Sequence, residues 1–214
     1  MPKHDHLRTL PIVERYPDDL WGALNFAAKA HENQTRKAGN EQYITHPFDV
    51  MQRVRIVTDD IDVQVGAVLH DTVEDTPVTI KQLEQLFGAR VAHLVWGVTK
   101  DDSISGWHQR NEAWLERLQH SAEEGSVVIA LGDKTSNLGD MIRNNKKYGQ
   151  AFWRLFNAQP KDQLWWYSSV LHIAQSRAPD CQLTGELEIL VETFREEVVY
   201  GAHPNELGRV ALIL

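Results

Sequence analysis

The chain has 214 residues, 42% hydrophobic and 24% charged, with 22 Lys and Arg against 30 Asp and Glu for a formal net charge of −8. That is enough for one well-buried domain over 1–214, and the acid excess excludes a general nucleic-acid polymer binder, which needs a dense cationic face. Apolar runs such as "VGAVL" and "SVVIAL" are too short to span a bilayer and the opening "MPKHDHLRTLPIVERYP" lacks a signal-peptide core, so a cytoplasmic protein with no membrane partner is expected. A single cysteine, Cys181, cannot close an internal disulfide, in keeping with a reducing compartment.

In chain order the patterns are helical. Residues 18–33, "DDLWGALNFAAKAHEN", carry Leu20, Ala23, Leu24, Ala27 and Ala30 at helical spacing behind an Asp pair suited to capping. A polar loop with Gly39 at its turn follows, and "HPFDVMQRVRIV" reads as a helix with Pro47 in its first turn, where a missing N–H costs nothing. Asp60 or Asp62 can cap a helix through "VQVGAVLHDTVED" that Pro77 helps to end, and "TIKQLEQLFG" opens on a Thr79 to Gln82 capping box and closes on Gly88. Five more helical patterns follow, "ARVAHLVWGVTK", "WHQRNEAWLERLQHSAEE", "SVVIALGDKTSNLGDMIRNN", "KDQLWWYSSVLHIAQSR" and "LTGELEILVETFREEVVY". No strand pair or internal repeat interrupts them. The expected fold is all-α, with polar loops near 34–45, 100–106 and 145–160, and oligomeric state is not readable.

The stretch "LHDTVEDT" concentrates His70, Asp71, Glu74 and Asp75 within six residues. On a continuous helix His70 with Glu74, and Asp71 with Asp75, would share neighbouring faces and form one polar arc. Because the preceding "VGAVL" belongs in a core, several carboxylates beside a buried imidazole call for a cation. A metal needs more ligands, and His46 in "YITHPFDV" and Asp133 in "VVIALGDKTSNL" are the further candidates. Two imidazoles and two carboxylates suit Mn²⁺, Zn²⁺, Fe²⁺ or Mg²⁺, and the set lacks the thiolates of a closed structural zinc site.

The ordered words "HP", "LHDTVEDT" and "GDKTSN", with "FGARVAHLVWGVTK" between them, resemble the HD phosphohydrolases, and in particular the hydrolase domain of RelA/SpoT alarmone enzymes and their stand-alone small relatives. The resemblance implies an HD-type helical bundle with a motif core of about 18–145 and a divergent helical part over 146–214. It implies hydrolysis of guanosine penta- or tetraphosphate at the 3′-pyrophosphate, giving GTP or GDP and pyrophosphate, with Mn²⁺ as cofactor and a small-molecule nucleotide as partner. His46, His70, Asp71 and Asp133 match the family's metal ligands, and Glu74 and Asp75 match the acidic pair that handles the attacking water. Arg36 and Lys37 match the basic pair of the nucleotide loop, Asn137 the position that contacts the sugar, and Lys134 a position that is also basic in the family.

Two positions depart from the pattern. Ala130 stands where the family has a Lys three residues before the last ligand, and Gly132 replaces a usual Ala. Beside the alarmone reading stand a phosphohydrolase of another nucleotide, such as an adenosine 3′-pyrophosphate or the 2′-phosphate of NADPH, and a nucleotide-binding scaffold. The presence of both Glu74 and Asp75 disfavours the scaffold, since binding alone does not need them. Elsewhere, His31 reads as a solvated helix end in preference to a residue facing the site, and His93 and His172 as packed or partly buried core histidines. Trp96, Trp114, Trp165 and Trp166 read as core, while "NNKKYGQAFW" reads equally as a solvated loop and as a source of Lys146, Lys147 or Tyr148 contacts to a phosphate or base.

Overall fold

A computed structural model describes residues 20–38 and 41–201. It is an all-α bundle: α1 (Leu20–Ala30), α2 (Thr45–Val57), α3 (Ile61–Leu69), α4 (Thr72–Asp75), α5 (Ile80–Phe87), α6 (Ala89–Val98), α7 (Trp107–His120), α8 (Glu124–Tyr148), α9 (Gln150–Trp153), α10 (Pro160–Arg177) and α11 (Gln182–Thr193), closed by a π-helical turn at Phe194–Val199. Strand-type pairing among the described residues is confined to one antiparallel bridge, Thr35 with Gln42, at the base of the first loop. The Asp18–Asp19 cap and Gly39 lie outside the described residues. No described helix is long and apolar enough to cross a membrane.

Helix α3 is the centre. Every residue from Val63 to Leu69 is buried, and α1, α2, α6 and α8 all pack on it. A helix apolar all round belongs in the middle of a bundle, and each large side chain there contributes roughly 1.5–3 kcal/mol. The expected caps are present: Asp60 accepts from the Asp62 N–H, and Thr79 and Gln82 form the reciprocal box. Gly88 ends α5 at φ +90°, a left-handed conformation that glycine adopts without strain.

Two expectations need correction. The segment "VQVGAVLHDTVED" is not one helix: α3 stops at Leu69, Asp71 sits at φ −92°, ψ −8°, and α4 begins at Thr72. Side chains cause the break, because His70 Nδ1 takes the Ala67 carbonyl at 2.8 Å and Thr72 Oγ1 the Leu69 carbonyl at 2.7 Å, satisfying acceptors that a continuing helix would use. The expected 145–160 loop is shorter, since α8 runs on to Tyr148 and α9 occupies Gln150–Trp153.

The two family departures have physical explanations. Ala130 is in the apolar core at 1% exposure. At Gly132 a Cβ would lie 3.0 Å from Val54 Cγ2 and 3.3 Å from the Val50 carbonyl oxygen, so glycine lets α8 approach α2 closely. Gly132→Ala gains about 1 kcal/mol of helix propensity but overpacks against fixed backbone, typically 1–3 kcal/mol. Urea unfolding is expected to give a net loss of about 1 kcal/mol; a stabilised variant would show that the two helices separate freely.

Candidate active site

The site gathers on one side of α3. Its break turns His70 and Asp71 into a cleft of about 870 Å³, within the usual range for small-molecule sites. The start of α2 brings His46, and α8 presents Asp133, Asn137 and Asp140 along one face at spacings of four and three.

His46, His70 and Asp71 offer ligand atoms that all lie within 4.8 Å of one another. Asp133 Oδ1 approaches His46 Nε2 at 3.2 Å and His70 Nε2 at 3.8 Å, while Asp71 Oδ2 is 3.2 Å from His70 Nε2 and 3.5 Å from His46 Nε2. Despite this closeness both Nε2 atoms are buried without a hydrogen-bond partner. The opposite ring nitrogens are engaged, His70 Nδ1 with the Ala67 carbonyl and His46 Nδ1 with Ser136 Oγ at 3.2 Å. Nδ1–H donation to a carbonyl leaves the Nε2 lone pair directed inward, the usual support of a metal-ligating histidine. Two such nitrogens facing two carboxylates off hydrogen-bonding alignment make a donor set that fits a divalent cation.

The electrostatics point the same way. Burial acts to raise the Asp71 carboxyl, but His70 and His46 beside it hold it well below the usual carboxylate range. Burial likewise works against an ionised Asp133, and Lys134, His46 and His70 overcome it. Burial alone would lower the His70 imidazole, yet Asp71 and Asp133 hold it well above its ordinary value. The pocket thus keeps its carboxylates ionised and demands positive charge.

Glu74 and Asp75 are held differently. Glu74 Oε1 accepts the Lys100 backbone N–H at 2.7 Å, and burial raises its carboxyl above the ordinary value. Burial and the Asp71 charge also raise Asp75. The Tyr43 hydroxyl, 2.7 Å from both Asp71 Oδ2 and Asp75 Oδ2, stands between these two carboxylates. Burial and the two carboxylates push that phenol far above its usual range, so it remains a donor. Tyr43 went unnoticed in the sequence; its position three residues before His46 was the available signal.

On the outer side, Arg36 Nη2 donates to Asn137 Oδ1 and to Asp140 Oδ2, each at 2.9 Å, and its guanidinium lies 5.8 Å from the Tyr43 ring centroid. Asn137 in turn donates to Asp133 Oδ1, and Lys134 pairs with Asp133 Oδ2. Lys37 lines the same cleft, 4.9 Å over the Phe156 ring. His31 is not a solvated helix end but is buried and stacked on Tyr43 at 4.6 Å. His93 and His172 are exposed rather than packed. Trp114 and Trp166 are buried as expected, with Trp166 also forming cleft wall.

Against known proteins, the sequence profile described as "HD domain" matches residues 23–156. The chain belongs to the HD-domain family. It is 41% identical over 127 residues to the guanosine-3′,5′-bis(diphosphate) 3′-pyrophosphohydrolase MESH1 of Danio rerio, covering 58% of this chain and 69% of the relative. The human protein of that name is 40% identical over 130 residues, covering 58% and 70%. The bifunctional (p)ppGpp synthase/hydrolase SpoT of Escherichia coli K12 is 39% identical over 137 residues, which span 59% of this chain but 19% of that much longer protein. Among solved structures, one described as a metazoan ortholog of SpoT that hydrolyses ppGpp superposes with a TM-score of 0.69 at 27% identity, covering 84% of this chain and 96% of that one. The HD-domain match spans α1 to α9 and includes the whole cleft floor from Arg36 to Asn137.

Proposed function

We propose that this HD domain is a metal-dependent guanosine 3′,5′-bis(diphosphate) 3′-pyrophosphohydrolase. The observation that carries the reading is the pair of buried, partnerless Nε2 atoms of His46 and His70 facing Asp71 and Asp133, beside two further carboxylates with raised proton affinity. His46, His70, Asp71 and Asp133 would hold the cation, for which Mn²⁺ suits the mixed nitrogen and oxygen set. When bound, it supplies Lewis acidity toward water and phosphoryl oxygen. Family membership and relatives of about 40% identity named for this activity support the substrate assignment.

This chain's residues then do the following. Glu74, fixed by the Lys100 N–H, accepts a proton from the attacking water, whose oxygen bonds to the phosphorus attached to the ribose 3′-oxygen. The bond from that phosphorus to the 3′-oxygen breaks, pyrophosphate departs, and the 3′-oxygen takes up a proton. Asp75, with its raised proton affinity, is placed to give one. Arg36 and Lys37 receive the nucleotide, Arg36 stacking on the base while Lys37 meets phosphate, with Asn137 at the sugar and Lys134 holding Asp133 and phosphate charge. Incubating Mn²⁺-loaded protein with guanosine and adenosine 3′-pyrophosphates and with NADPH tests this: rapid release of pyrophosphate from the guanosine compounds is expected, and turnover confined to NADPH would replace the reading by a 2′-phosphatase.

Two residues have separable effects. Tyr43→Phe removes the donor shared by Asp71 and Asp75, and loss of such outer support lowers metal affinity by about 10–100-fold. Titration of the apo variant with Mn²⁺ measures this, and an unchanged affinity would reduce Tyr43 to packing. Arg36→Ala removes a contact remote from the breaking bond, so KM should rise more than kcat falls for guanosine and adenosine 3′-pyrophosphates alike, because stacking separates purines poorly. A drop confined to kcat would take Arg36 out of nucleotide binding.

A further inference from the structure

The cleft carries a second cationic region, of which the roles above use Lys134 alone. Lys100 follows α6, and its ammonium lies 5.1 Å over the Trp166 ring, the ring that Lys134 approaches at 5.3 Å. Arg36, by contrast, bonds to Asn137 and Asp140, one and two turns further along α8 than Asp133. Lys134 is paired with Asp133, whereas among the described residues the Lys100 ammonium has neither a carboxylate at ion-pair distance nor a hydrogen bond. It is held in place: Trp114 Nε1 and Arg117 tie down the Val98 and Thr99 carbonyls just before it, and its own N–H is bonded to Glu74.

A second donor belongs to the same cleft. Asn111 of α7 lines the cleft, is 2% exposed, and its Nδ2 is buried without any partner. A buried amide donor left unsatisfied is costly unless a ligand accepts from it. Asn111 is one helical turn before Trp114, whose ring lies 5.0 Å from the Lys134 ammonium and 5.0 Å from the Trp166 ring. An ammonium with no carboxylate at ion-pair distance, a partnerless amide and a second ammonium in one cleft describe a pocket for a compact anion.

We propose that Lys100 and Asn111, with Lys134 and Trp166, form an inner anion subsite that receives the terminal phosphoryl group of the 3′-pyrophosphate and selects pyrophosphate over a single phosphate. The proposal rests on the reading of the cleft as a 3′-pyrophosphate hydrolase, and it adds the group that sets the length of the phosphate chain. Because the terminal phosphoryl group leaves as part of pyrophosphate, the subsite acts on substrate and product alike. It anchors the far end of the group while Glu74, tied to Lys100 through the backbone, addresses the near phosphorus.

The test is calorimetric titration of inorganic pyrophosphate, inorganic phosphate and GDP into metal-loaded protein, with elemental analysis before and after. Wild type should bind pyrophosphate at least about tenfold more tightly than phosphate, charge-assisted contacts being the stronger ones. Lys100→Met keeps a chain over Trp166 without the charge and should weaken pyrophosphate by about tenfold, leave GDP and metal content unchanged, and be rescued by Lys100→Arg. Asn111→Ala, which removes a donor with no protein partner, should weaken pyrophosphate in the same direction without loss of thermal stability. Pyrophosphate binding unchanged in both Lys100→Met and Asn111→Ala, or pyrophosphate, phosphate and GDP all weakened alike, overturns the subsite. Failure of wild type to hydrolyse any 3′-pyrophosphate, with Lys100-dependent pyrophosphate binding intact, would instead overturn the hydrolase reading and leave the subsite standing.

Discussion

His70→Ala and Asp133→Ala are expected to purify without bound metal and without measurable turnover. Each removes a donor from a set whose carboxylates are already held ionised, and breaking a buried charge pair costs about 3–5 kcal/mol, so the remaining acids cannot bind the cation tightly. Losing several kcal/mol of transition-state stabilisation corresponds to a rate loss of about 10³-fold or more. Wild type should gain thermal stability on adding Mn²⁺, since the ligand binds only the folded chain, and His70→Ala should not. Elemental analysis, melting curves and assays together check this. A His70→Ala protein that holds a full equivalent of metal and turns over normally would remove His70 from the centre.

Glu74→Gln should behave in the opposite way. The amide keeps the shape and can still accept the Lys100 N–H through its carbonyl oxygen, but it cannot take a proton from water. Metal content should stay at the wild-type level while kcat falls by about 10²–10⁴-fold, the usual share of general base catalysis. Loss of metal along with activity would make Glu74 a ligand, and undiminished turnover would pass the base role to Asp75.

What could be read in the sequence were features that depend on near neighbours. The Thr79–Gln82 box, the Asp60 cap and the Gly88 stop are local chemistry, and each is where the residue types place it. The "HDTVED" word marks the cleft because six consecutive residues carry it. Its geometry was hidden, because competition between helix hydrogen bonds and the side chains of His70 and Thr72 decides the break, and periodicity does not register that competition. Other supports join distant segments. Tyr43 meets Asp71 across 28 residues, Lys100 meets Glu74 across 26, and Arg36 meets Asn137 across 101. No spacing rule reaches so far. The histidines failed for the same reason, since His31 is buried by the returning chain at Tyr43, while His93 and His172 occupy outward faces of α6 and α10.

The most direct measurement is hydrolysis of guanosine 3′,5′-bis(diphosphate) by the metal-loaded protein in ¹⁸O-enriched water, followed by ³¹P NMR of the products. If the His46, His70, Asp71 and Asp133 cleft directs water at the phosphorus next to the ribose, GDP and pyrophosphate form in equal amounts and one ¹⁸O appears in pyrophosphate alone. Release of inorganic phosphate, label in the nucleotide, or no reaction with metal bound would contradict the account.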